Sequence, residues 1–198
     1  MSAFLIIHGL ENVRPEGHWH RILTSQLRRA GHTVVYPQLP QPDAPILSEW
    51  LSIVDAELHM LKEAGFDEVR VVCHSLGCVT WLHYIEKFAA PLKISQLLLV
   101  APADPKLLTA APTFQTIQFN AQMADRLHQI CPDITLIASE SDPWLPDGIE
   151  QTYGNPLLIH PTIWEGAGHI SMADGFGEWI GVFNWFQDRS NVLTEKHS

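Results

Sequence analysis

Short, continuous runs of apolar residues recur along this 198-residue chain, and they do not alternate with polar residues. Such runs are typical of strands that helices cover on both faces of a sheet, as in parallel α/β domains. We therefore predict buried strands at Phe4–Ile7, Val34–Tyr36, Val69–Cys73, Leu97–Val100, Ile134–Ala138 and Leu157–Ile163. The sixth run is interrupted by Pro161, and proline cannot donate a backbone hydrogen bond to a sheet.

Helical periodicity fills the segments between these runs. Apolar residues spaced three or four positions apart predict helices that contain Trp19–Leu27 and Trp50–Leu61. Further helices are predicted over Leu76–Phe88, Ala121–Ile130 and Phe176–Phe186. Strand and helix alternate throughout, which indicates an α/β fold with a mainly parallel sheet and helices on both of its faces. The length and the lack of a linker-like segment predict a single domain over residues 1–198.

Charge and cysteine content narrow the class of protein. The chain has 22 Asp plus Glu against 12 Lys plus Arg, a formal net charge of −10, so we expect neither a nucleic-acid nor a membrane partner. Nine of the acidic residues and none of the Lys or Arg lie between residues 133 and 188. Three cysteines without a C-x-x-C motif indicate reduced thiols. With no signal peptide and no apolar run of membrane-spanning length, the expected location is cytoplasmic.

Ligands of parallel α/β sheets bind at the carboxyl ends of the strands, so the residues that follow each strand deserve most weight. Val71–Cys78 runs from a strand through Ser75 into a helix, which is the nucleophile-elbow pattern G-x-S-x-G with Cys73 in place of the first glycine. Small residues are required on both sides because strand and helix cross closely there. A serine that merely caps the helix is the alternative. We predict Ser75 as the nucleophile, and the Cys73 side chain should point away from the site.

A serine nucleophile needs a base, and the base needs an acid, in the chain order Ser, Asp or Glu, His for this kind of fold. Asp142 follows the fifth strand and precedes Pro143, and we prefer it to the neighbouring Glu140 as the acid. His169 follows two glycines near the end of the chain, in a loop that can approach Ser75 closely. The alternatives are a turn-forming aspartate and a surface histidine.

Two backbone N–H groups complete the predicted site. The N–H of Leu76 begins the helix after Ser75, and a second donor near Leu10 follows the His-Gly pair after the first strand. No metal site is expected, because His18 and His20 diverge on a helix and H-E-x-x-H is absent. No cofactor is expected either, because the chain lacks G-x-G-x-x-G and a P-loop.

The motifs together resemble the small serine hydrolases of the α/β-hydrolase superfamily that are grouped with retinoblastoma-binding protein nine. The matching segments are Pro15–Trp19, His74–Gly77, Ile130–Pro132, Ser141–Pro146 and Gly168–His169. The resemblance implies an α/β-hydrolase fold without a large cap and a triad of Ser75, Asp142 and His169. Cys73 departs from the usual glycine, and the chain has no L-x-C-x-E motif, so the partner binding in the family's name does not carry over.

We therefore expect a serine hydrolase that cleaves a small carboxylic ester, with an amide as the second substrate class, through an acyl-enzyme on Ser75. Ala101–Gln118 is the one candidate cap, so the site should be shallow. The acidic stretch between residues 133 and 188 supplies Asp142 and His169, which predicts a negative potential at the mouth of the site. The rival interpretation is a non-catalytic binding protein on a hydrolase scaffold. The sequence leaves the oligomeric state open.

Overall fold

The computed structural model describes residues 1–188, 190–191 and 193–194. Its strands are β1 (Ala3–Ile7), β2 (Thr33–Val35), β3 (Glu68–His74), β4 (Lys93–Val100), β5 (Ile134–Ser139) and β6 (Thr162–Trp164). Its helices are α1 (Trp19–Arg29), α2 (Leu47–Glu63), α3 (Leu76–Lys87), α4 (Ala121–Ile130), α5 (Asn155–Leu157) and α6 (Ile180–Gln187). Within the described residues, the strands form one parallel sheet in the order β2-β1-β3-β4-β5-β6.

Two apolar cores lie on opposite faces of the sheet. Successive residues of each strand point to opposite faces, so Leu5 of β1 packs with α2, α3 and α4, whereas its neighbours Phe4 and Ile6 pack with α1 and α6. β3 divides in the same way, with Val71 on the first face and Val72 on the second. Both faces are covered, which explains why the strands read as continuous apolar runs.

The strand order reverses beside β1, and this reversal sets the position of the site. From β1 the chain proceeds through α1 to β2 on one side, and then returns through α2 to β3 on the other side of β1. The connections that leave the carboxyl ends of β1 and β3 therefore cross opposite faces of the sheet. A crevice forms between them, as is general for open α/β sheets.

Two predicted elements, the sixth strand and the last helix, begin later in the structure than the sequence predicts. The expected strand Leu157–Ile163 is only Thr162–Trp164, because Leu157 ends a helical turn and Leu158 adopts the left-handed conformation with φ 56°. The last helix begins at Ile180 rather than Phe176. Phe176 and Trp179 are nevertheless buried in the core against α1, so their apolar spacing reflects burial in an irregular segment.

The candidate cap Ala101–Gln118 packs down onto the body of the protein. It contains two short 3₁₀ helices, Pro105–Leu107 and Pro112–Thr116, and Phe114 is buried with α2 and α3 in the core. Only its inner residues Ala103 and Leu108 reach the crevice described below. In the described part of the chain, no helix has the length and apolar character needed to cross a membrane.

Candidate active site

Ser75 lies between β3 and α3 in a conformation that few non-glycine residues adopt. Its φ is 55° and its ψ is −125°, and such backbone costs about 1–3 kcal/mol when the surroundings enforce it. The enforcement comes from both sides, since the Ser75 N–H donates to the Val100 carbonyl of β4 (3.0 Å) and the Ser75 carbonyl accepts from the Cys78 N–H (3.0 Å). The turn therefore fixes Ser75 at the carboxyl edge of the sheet.

Two glycines allow β1 to approach this turn. A Cβ at Gly77 would overlap the Ile7 carbonyl and lie 2.8 Å from the His8 carbonyl oxygen. A Cβ at Gly9 would lie 2.8 Å from the Ser75 Cβ. The loop after β1 is therefore packed directly against the serine, and larger side chains at either position would force the two apart.

Cys73, the departure from the elbow pattern, is fully buried in the core on the α2–α4 side of the sheet. Burial raises the pKa of its thiol well above the ordinary value. The thiol is thus neutral and inside the core, as the prediction that it points away from the site requires.

The structure brings the three predicted side chains Ser75, Asp142 and His169 together. The His169 Nε2 lies 2.8 Å from the Ser75 Oγ, and its Nδ1 lies 2.9 and 3.0 Å from the two carboxylate oxygens of Asp142. The Asp142 side chain has no solvent exposure, whereas Glu140 is exposed. The Asp142 Oδ1 also accepts from the Trp144 N–H (2.9 Å), so the carboxylate is held by its own turn as well as by the imidazole.

The loops that carry Asp142 and His169 are joined by side chains that the sequence did not reveal. The Ser139 Oγ accepts from the Ala167 N–H (2.9 Å), and the Ser141 Oγ accepts from the Gly168 N–H (3.1 Å). These bonds connect the loop that carries Asp142, here called the acid loop, to the loop that carries His169, here called the base loop. They lie on both sides of Glu140. Ser139 ends β5 and Ser141 lies two positions later, and residues two apart on a strand share one face. This spacing could have identified the pair from the sequence.

Asp174 holds the base loop from its other end. Its Oδ2 accepts from the His169 N–H (3.1 Å), the Ser171 N–H (3.1 Å) and the Ser171 hydroxyl (2.6 Å). Nothing in the sequence separates Asp174 from the other carboxylates of the acidic stretch. It fixes the backbone of the residue whose imidazole reaches Ser75.

His74 connects the serine turn to the same loop. Its Nε2 donates to the His169 carbonyl oxygen (2.9 Å). The rings of His18 and His20 lie 6.1 and 5.8 Å from its ring, and burial lowers the pKa of all three, to about 4 for His18. These histidines are therefore neutral near pH 7. The His18 Nδ1 caps α1 by accepting from the His20 N–H (3.1 Å).

A cleft of about 420 Å³ opens over Ser75 and His169. Its walls include the apolar side chains of Leu10, Leu108, Trp144 and Met172, together with Asn12, His18 and Glu11. Trp144 is 39% exposed, and its ring centroid lies 6.2 Å from that of His169. The backbone N–H groups of Leu10 and Leu76 have no hydrogen-bond partner among the described residues. The cleft thus combines a serine hydroxyl, an imidazole and an apolar wall.

Comparison with known proteins agrees with this architecture. A family model described as serine hydrolase matches residues 4–188. The chain belongs to the serine hydrolase family. This serine hydrolase is 25% identical over 174 residues to the Bacillus subtilis (strain 168) protein YdeN, covering 86% of this chain and 87% of YdeN.

Solved structures share the fold. The crystal structure of the B. subtilis ydeN gene product has a TM-score of 0.77 and 22% identity, with 94% of this chain and 97% of that chain covered. Est1E from Butyrivibrio proteoclasticus has a TM-score of 0.65 and 14% identity, with 94% and 87% covered. The α/β-hydrolase fold predicted for this serine hydrolase, with a mainly parallel sheet, helices on both faces and no large cap, is confirmed.

Proposed function

We propose that this hydrolase cleaves a small carboxylic ester through an acyl-enzyme formed on Ser75. The observation that carries the proposal is the unbroken hydrogen-bond chain from the Ser75 Oγ through both ring nitrogens of His169 to the buried carboxylate of Asp142. A serine hydroxyl is a weak nucleophile on its own, and an adjacent, oriented base activates it.

The role of each side chain follows from the hydrogen-bond directions. With Nδ1–H donating to Asp142, the neutral imidazole has its lone pair at Nε2, where it accepts the Ser75 hydroxyl proton. As Oγ attacks the carbonyl carbon, the proton passes to His169, and Asp142 stabilises the imidazolium. His169 then protonates the leaving alcohol, and in the second half of the cycle it deprotonates the water that releases the acid.

We assign the oxyanion hole to the backbone N–H groups of Leu76 and Leu10. The Leu76 N–H begins α3, where the helix dipole also favours negative charge. The close approach of Gly9 to the Ser75 Cβ supports Leu10 as the second donor, because it brings the following peptide to the edge of the cleft that Ser75 also lines.

The cleft's size and walls favour a small substrate, with an ester ahead of an amide. An ester's alkoxide leaves more readily than an amine, and an open cleft of about 420 Å³ offers few contacts with which to position an amide.

We further propose that residues 1–198 form one domain and that the protein belongs to the subgroup of retinoblastoma-binding protein nine. All three cysteines are buried free thiols, which supports a cytoplasmic location.

Fluorophosphonate labelling and hydrolysis of p-nitrophenyl acetate test the proposal. We expect wild type to be labelled and to turn over the ester, and Ser75→Ala to lose both, with kcat/KM reduced about 10⁴-fold or more. Cys73→Ala is the control for a thiol-dependent enzyme, and it should retain labelling and activity.

The alternative is a binding protein that keeps the scaffold without the reaction. It predicts a folded wild-type protein that neither labels nor hydrolyses esters of several acyl lengths. Circular dichroism of the same samples establishes folding. That result would refute the proposed function, whereas stoichiometric labelling of Ser75 would refute the alternative.

A further inference from the structure

A second cleft lies away from Ser75, and its walls are strongly basic. It has a volume of about 700 Å³, and its lining includes four arginines, Arg14, Arg21, Arg28 and Arg29, together with Ser25 and Tyr36. Four of the chain's seven arginines therefore surround one cleft in a protein whose formal net charge is −10. Such a concentration of one sign creates a local potential opposite to that of the molecule as a whole.

Three of the four guanidinium groups are held by neutral acceptors. Arg14 donates to the Tyr36 carbonyl (2.7 Å) and to the Gln38 Oε1 (3.2 Å), and Arg28 donates to the Val34 carbonyl (2.8 Å). Arg21 donates to the Arg14 carbonyl (3.1 Å). Among the described residues, no carboxylate lies within ion-pairing distance of any of the four arginines. Three of the four side chains are thus positioned, and none of the four charges is paired with a carboxylate of the described residues.

Helix electrostatics account for only part of this cluster. Arg28 and Arg29 lie in the last turn of α1, where the helix dipole favours cations. Arg21 lies in the first turn of α1, where the dipole disfavours a cation, and Arg14 comes from the loop before it. Bringing these two charges beside the others costs free energy that a bound anion would recover.

We propose that this cleft binds an anion that carries two or more phosphate groups. Guanidinium forks match phosphate oxygens in a bidentate geometry, and each arginine here retains N–H donors that the protein does not use. The cleft's volume and four positive charges exceed what a single orthophosphate needs. The Ser25 hydroxyl at the wall supplies a further donor. This site does not depend on the proposed ester hydrolysis.

Isothermal titration calorimetry with inorganic tripolyphosphate tests the site on the full chain. We expect saturable binding that weakens as salt is added and that is tighter than binding of orthophosphate. Arg21→Ala combined with Arg29→Ala, two exposed positions, should weaken binding about tenfold or more. Arg126→Ala is the matched control, because Arg126 also donates to a backbone carbonyl (Phe88, 2.9 Å) but lies outside the cleft, and it should bind as wild type.

Two further arms identify the source of the phosphate. Phosphatidylcholine vesicles with and without phosphatidylinositol bisphosphate separate a lipid headgroup from a soluble anion, and competition by tripolyphosphate shows whether both use this cleft. The proposal is overturned if tripolyphosphate does not bind at low salt, if the double variant binds as wild type, if Arg126→Ala weakens binding equally, or if citrate binds as tightly as tripolyphosphate.

Discussion

The serine turn and the two loops opposite it are fixed by different kinds of contact. Ser75 is positioned by backbone contacts: its own N–H and carbonyl are hydrogen-bonded, and Gly77 and Gly9 let β1 and its loop pack closely against the turn. The loops of Asp142 and His169 are positioned by hydrogen bonds that the side chains of Ser139, Ser141 and Asp174 accept from backbone N–H groups. Steric fit tolerates few replacements, whereas a hydrogen-bonded loop can be loosened one bond at a time. The two halves should therefore respond differently to substitution.

The largest effect is expected in the acid loop. Asp142→Asn removes the charge that stabilises the imidazolium and favours the wrong tautomer of His169, so kcat/KM for p-nitrophenyl acetate should fall about 10⁴-fold. Glu140→Gln, two residues away and exposed, should change it less than about twofold. A larger loss in Glu140→Gln than in Asp142→Asn would contradict the assignment of the acid.

The serine half should respond to added volume. Gly77→Ala places a Cβ against the Ile7 and His8 carbonyls, and we expect the free energy of unfolding to fall by about 3 kcal/mol. Gly65→Ala is the control, because Gly65 has φ 90° but open space around it, so only the backbone strain of about 1 kcal/mol applies. Urea unfolding measures both, and equal losses would show that close packing at Gly77 is not the cause.

A smaller effect is expected when the base loop loses one clamp. Asp174→Ala removes the acceptor of the His169 and Ser171 N–H groups, so the imidazole is held less well. We expect kcat per folded enzyme, with the folded fraction measured by circular dichroism, to fall about tenfold with little change in KM. Asp147→Ala is the matched control at an exposed carboxylate, and it should leave both constants unchanged. A rise in KM at constant kcat would instead place Asp174 in substrate binding.

What can be predicted from the sequence divides in the same way, between buried backbone elements and side-chain hydrogen bonds. The buried strands β1, β3 and β5 were predicted within one residue of each end, because apolar runs report burial directly. β4 begins at Lys93 rather than Leu97, since Lys93, Ser95 and Gln96 leave Ile94 outside any continuous apolar run. The three side chains of the candidate site follow from motif order. Asp174 could not be predicted, because a hydrogen bond across a loop has no fixed spacing in the sequence.

The smallest effect concerns the negative potential of the cleft over Ser75. The structure indicates a different source for this potential from the one that the sequence predicts. The acidic residues between 133 and 188 do not line the cleft, and Glu11, after β1, is the carboxylate among its described lining residues. We expect kcat/KM to be about two- to fivefold higher for a neutral ester than for its carboxylate-bearing analogue at low salt, because Glu11 is exposed and its field is screened. Glu11→Gln should reduce that ratio, and added salt should reduce it in wild type. If the ratio is unchanged in Glu11→Gln but still falls with salt, the preference arises from the more distant acidic stretch. The acidic stretch would then contribute an electrostatic field to the cleft in addition to supplying His169.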